Sequence, residues 1–151
     1  MNRREFVLGT IAGALAGCSA SSTGSAFTKD AQLAVTIART VVTAASVEPG
    51  VSPADVAAAN AGLAALQTGL IAVQSGLRTP TDWSNLLVSE LQTLGPMLMT
   101  DFHANTSMIA GVTLLESFAP LVAADVSGGQ APSAGMLDVR AAAQTWARSH
   151  S

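Results

Sequence analysis

Asn60-Ala-Gly-Leu-Ala-Ala-Leu, Gln67-Thr-Gly-Leu-Ile-Ala-Val and Gln74-Ser-Gly-Leu follow one another as a seven-residue repeat, and their reading decides the fold class. Val56, Ala59, Leu63, Leu66, Leu70, Val73 and Leu77 recur at spacings of three and four, the period of an apolar stripe on an α-helix that packs in coiled-coil fashion. Gly62, Gly69 and Gly76 each precede a seam leucine, and Ala58, Ala65 and Ala72 lie four residues before them. Together they form a smooth strip that a second backbone can approach closely. Three glycines cost roughly 3 kcal/mol of helix propensity relative to alanine, so close packing has to compensate. The strip, with Leu63, Leu66 and Leu70 beside it, is a candidate helix-packing interface. It serves either a contact between protomers or the interior seam of one bundle.

The helix has explicit start signals. At Ser52-Pro53-Ala54-Asp55, Ser52 caps, Pro53 takes the first helical position and Asp55 meets the positive end of the helix dipole. The same design recurs at Thr79-Pro80-Thr81-Asp82, which opens a helix burying Trp83, Leu87, Leu91 and Leu94. Gly95-Pro96 is expected to end or sharply bend it. A further helix is predicted from about Met97 towards Val122, with Met108, Val112, Leu115 and Phe118 on its core face. A glycine-rich loop from Gly128 to Gly135 separates it from a short last helix over Met136 to Arg148. Towards the amino end, Thr28 caps a helix running to about Val47, stopped by Pro49 and Gly50. No stretch alternates in the manner of a strand, so the expected fold is all-α: a small bundle of four to five helices over residues 28–151.

Composition narrows the function classes. Charged residues make up 11% of the chain, well under the roughly 25% of an ordinary domain. Beyond residue 17 the only cations are Lys29, Arg39, Arg78, Arg140 and Arg148, so there is no basic patch for nucleic acid. Tyrosine is absent and Trp83 and Trp146 are far apart, which leaves no aromatic platform for bases or sugars. Asp101 and His103 fall on different sides of a helix, and Glu116 is no ready partner for His103, so no metal site is expected. With two histidines and neither a nucleophile elbow nor a phosphate loop, no catalytic constellation and no cofactor are expected.

The first residues carry an address. Arg3 and Arg4 form a basic head, and Phe6 to Ala16 form an apolar run too short for the about 20 residues that span a bilayer. Leu15-Ala16-Gly17-Cys18 brings small side chains up to the chain's single cysteine. This segment resembles the signal peptide and lipobox of bacterial lipoproteins. The resemblance covers residues 1–18 alone, and it implies cleavage before Cys18 and acylation of its sulfur. Asn2-Arg3-Arg4-Glu5-Phe6-Val7-Leu8 is similar to a twin-arginine signal, without the Ser or Thr before the pair and the lysine after the hydrophobic residues; the alternative is the general secretory route. Ser19 stands where an aspartate would retain an inner-membrane lipoprotein, so the resemblance implies an outer-membrane anchor facing the periplasm. Residues 18–27, rich in Ser, Ala and Gly, read as the lipidated cysteine and a flexible tether.

These features point to a non-enzymatic envelope lipoprotein. Its partners would be the membrane, through the lipid, and a protein or a second copy, through apolar helices. The alternative is a small membrane-active protein, pore-forming or lysis-related, with the charge-free helix near residues 56–77 in the bilayer.

Overall fold

The computed structural model describes residues 18–103, 105–127 and 134–150, and among them there are five helices and no strand. They are α1 (Cys18–Val47), α2 (Pro53–Gln74), α3 (Pro80–Asp101), α4 (Thr106–Ser127) and α5 (Ala134–Ser149). The chain is an all-α bundle. Helices α1 to α4 form an up-and-down square in which α1 packs on α2 and α4, and α3 packs on α2 and α4; α5 lies in the outer groove between α1 and α4.

Two of the starts are local chemistry. Ser52 accepts the Asp55 N–H, and Thr79 and Asp82 form a reciprocal capping box. The core runs along one stripe of each helix. On α1 it comprises Phe27, Ala31, Ala34, Ile37, Ala38, Val41 and Ala45; on α4 it comprises Met108, Val112, Leu115, Phe118 and Val122. Trp83 and Phe27 meet edge to face with ring centroids 5.8 Å apart, and the Trp83 indole N–H donates to the Leu66 carbonyl at 2.8 Å. The largest aromatic of the core therefore leaves no donor unsatisfied.

The chain departs from the sequence expectations at three places. Backbone over residues 18–27 is helical and continuous with α1, where a flexible tether is expected, and Thr28 lies inside the helix instead of capping it. Burial of Phe27 against Trp83 holds the backbone ahead of Thr28, and no proline interrupts the preceding residues. Secondly, α3 runs through Gly95-Pro96 to Asp101. Buried Leu98 and Phe102 keep the next turn on the core, and that packing outweighs the missing N–H of Pro96. Thirdly, the break falls at residues 102–105, where Asn105 caps α4 by accepting the Met108 N–H at 3.3 Å and donates to the Glu48 carboxylate at 3.0 Å. Pro120 is likewise inside α4. The expected glycine-rich loop lies largely outside the described residues.

The bundle has two poles. The amino end of α1, the α2–α3 turn, the carboxyl end of α4 and the amino end of α5 form the lower one, joined by contacts between Phe27 and Trp83 and among Asp30, Asp125 and Arg140. The α1–α2 and α3–α4 connections form the upper one, joined by Glu48 and Asn105.

Candidate functional site

The residues of the expected export signal, Arg3, Arg4, Leu15, Ala16 and Gly17, lie outside the described residues. Cys18 opens the described part of α1, so the expected lipid attachment point is at the lower pole.

The glycine strip divides in two. Gly62 and Gly69 are buried in the α2–α3 interface. A Cβ on Gly62 would run into the Glu90 carboxylate and the Leu94 side chain, and one on Gly69 would stand 3.1 Å from Leu86 and 3.2 Å from Trp83. Their contacts are within one chain. Leu66 and Leu70 are buried beside them, while Leu63 is half-buried. The buried stripe of α2 is thus Ala59, Gly62, Leu66, Gly69 and Leu70, rotated from the leucine seam towards the glycines, because the closest approach of α3 occurs where Cβ is missing.

Gly76 does not belong to this interface. It has a φ of +79°, and no neighbour would meet a Cβ there within 4 Å. The Leu77 N–H donates to the Ala72 carbonyl at 2.8 Å and the Gly76 N–H to the Val73 carbonyl at 3.1 Å, the Schellman pattern that ends a helix. The third glycine of the repeat is a stop, and Leu77 is outside the helix and 81% exposed.

A cluster the sequence reading missed lies at the lower pole. Asp30 of α1 and Asp125 of α4 are buried, and Arg140 of α5 reaches both. The guanidinium grips Asp30 bidentately, Nε to Oδ1 at 3.0 Å and Nη2 to Oδ2 at 2.7 Å, while its nearest approach to Asp125 is 3.8 Å. Asp125 Oδ2 is buried without a hydrogen-bond partner. Two acids share one cation that is committed to the other acid. Burial, then the adjacent Asp30 carboxyl, push the Asp125 carboxyl up to about 7, against a smaller pull from Arg140. The signal was present in the sequence: Asp30 follows Phe27 by three residues and precedes Ala34 by four, and Asp125 follows Phe118 by seven, so each stands on a core stripe.

A second acid pair sits at the upper pole. Burial, with Asp55 beside it, raises the Asp101 carboxyl above the usual carboxylate range. Between the poles, α1 to α4 line a partly open apolar pocket of about 40 Å³ bordered by Ala38, Val41, Gly62, Leu66, Leu87 and Leu115, room for little more than one small molecule of water size. Among the described residues no three His, Cys, Asp or Glu side chains come together as a metal site. Two wider and more open grooves lie on the surface, one of about 410 Å³ lined by Gln32, Thr36, Arg39, Gln67, Ile71 and Gln74, the other of about 370 Å³ lined by Val88, Gln92, Pro96 and Glu116.

Comparison with protein-family models, with curated proteins and with solved structures returned no match.

Proposed function

We propose that this chain is a bacterial envelope lipoprotein: exported, cut before Cys18, acylated on that sulfur, and working as a non-enzymatic helical bundle with a structural or protein-interaction role. The observation that carries the reading is Leu15-Ala16-Gly17-Cys18 behind the basic Arg3-Arg4 head and a short apolar run. Its export route is the twin-arginine one and its destination the outer membrane, facing the periplasm. Buried ion pairs that tie helices together and the low share of charged residues in the chain support a structural or binding body. Two or more acyl chains give stable anchoring at about 0.8 kcal/mol per buried methylene, so the bundle itself needs no spanning helix. In cells, the wild-type chain is expected in the membrane fraction and Cys18→Ser is expected to lose acylation. Equal fatty-acid labelling of both chains would refute the proposal.

One observation favours the second reading, a membrane-active protein. Helix α2 is long and apolar enough to cross a bilayer and only 28% of its most apolar stretch is buried, against 44% for α4. Asn60, Gln67 and Gln74, and the fit of Gly62 and Gly69 against α3, weigh towards a bundle helix instead. Protein that stays dispersed without detergent once its acyl group is removed would rule the second reading out.

A further inference from the structure

Five large apolar side chains are exposed among the described residues: Val47, Ile71, Leu77, Val88 and Leu137, at 79%, 62%, 81%, 37% and 48% of their surface. Three of these five are at the lower pole, namely Ile71 in the last turn of α2, Leu77 in the α2–α3 turn and Leu137 in the first turn of α5, while Val88, the least exposed, lies along α3. Val47 alone is at the opposite pole, at the end of α1.

Leu77 is presented by a rigid device. Behind it the Schellman bonds from Leu77 and Gly76 close α2; ahead of it the Thr79–Asp82 capping box opens α3. Turn tips are ordinarily polar, and the residue after a Schellman glycine ordinarily folds back on its helix. Leu77 instead projects outward, followed at once by the exposed cation Arg78. The acid nearest in sequence, Asp82, is already accepting the Thr79 N–H. Lys29 of α1 is a second exposed cation at this pole. Leu137 has Asp138 beside it, which makes the α2–α3 turn the leading contact.

The occupant of this pole follows from where the chain leads. Phe27 and Trp83 are level, with ring centroids 5.8 Å apart. From that level α1 extends about 13 Å towards Cys18 at 1.5 Å per residue, and α3 extends about 5 Å towards the α2–α3 turn. A modest tilt of the bundle about the anchor closes the difference.

We infer that the lower pole is a bilayer-docking face, in which Leu77 enters the apolar boundary of an anionic membrane, Arg78 meets lipid phosphates, and Ile71 lies at the rim. The inference rests on the lipoprotein reading for its orientation and adds to it a direct contact between protein and lipid. A greasy side chain with an adjoining cation suits the boundary between acyl chains and headgroups, where each half finds its own environment.

The test uses the acylated chain in phosphatidylglycerol vesicles. Leu77→Cys and Val47→Cys each carry an environment-sensitive fluorophore, since acylation consumes the Cys18 sulfur, and the mass of each preparation reports the acyl group and the label separately. Lipids spin-labelled near the headgroup are expected to quench the label at position 77 severalfold more than the label at position 47, with a blue shift at position 77 alone. An acylated chain quenched equally at both positions overturns the docking face and leaves the lipoprotein reading standing. An unacylated chain, re-examined with Cys18→Ser, that is still quenched selectively at position 77 overturns the lipoprotein reading and supports the docking face. An unacylated chain without selective quenching overturns both.

Discussion

Gly111 of α4 faces Trp146 of α5 so closely that a Cβ there would stand 2.8 Å from Cη2 of the ring and 3.0 Å from Val41. The indole has little room to yield, because its N–H donates to the Ser107 carbonyl at 3.0 Å and its face stacks on His150 with centroids 4.2 Å apart. Gly111→Ala gains about 1 kcal/mol of helix propensity and loses about 1 to 3 kcal/mol to overpacking, so a net loss of about 1 kcal/mol is expected in urea unfolding. A midpoint at or above that of the parent would contradict this packing. Asp125 gives a second residue-scale prediction. Its carboxyl titrates at about 7 in the folded chain against 3.8 as the ordinary value, so between those limits the folded state holds a proton that the unfolded state releases. The contribution of this group to stability is therefore full below about pH 4, declines as pH rises to about 7, and is flat above. The raised Asp101 carboxyl acts with the same sign. Urea midpoints should fall between about pH 4 and pH 7, and Asp125→Asn should flatten that fall; an unchanged slope in the variant would remove Asp125 as its source. The acids themselves were legible on their stripes, but their pairing was not, since Asp30 and Arg140 meet across 110 residues of chain.

At the scale of elements, α5 is held by few groups: the Arg140 clamp, Trp146, and the small buried faces of Ala143 and Ala147. Arg140→Ala would leave Asp30 and Asp125 buried together without a cation. Loss of one partner from a buried pair costs about 3 to 5 kcal/mol, and partial exposure of the guanidinium places this case near the lower end. Limited proteolysis should then cut the variant ahead of α5 well before α1 to α4 are degraded. Simultaneous loss of all helices would show instead that α5 is integral to the core. Helix starts at Ser52 and Thr79 were legible because the capping atoms sit within three residues of the groups they satisfy. The continuation of α3 through Pro96 was not, because buried Leu98 and Phe102 decide it. The real break at residues 102–105 was hidden for a similar reason: Asn105 is fixed partly by Glu48, 57 positions away. In the repeat, the period identified the helix, but which face turns inward depended on α3 approaching at Gly62 and Gly69.

As a whole the described residues form a bundle with the amino end of α1, the Leu77 turn and the Asp30–Asp125 pair gathered at one pole. The all-α class followed from periodicity and caps alone, whereas the meeting of Asp30, Asp125 and Arg140 did not, because it joins the ends of three helices far apart in the chain. On the proposed function, a lipid on the Cys18 sulfur would set which pole meets the membrane. The intact mass of the protein extracted from membranes of expressing cells tests this most directly. A chain beginning at Cys18 and carrying the added mass of diacylglycerol, with or without a further amide-linked acyl group, is the expected result; the uncut polypeptide starting at Met1, without lipid, would contradict the account.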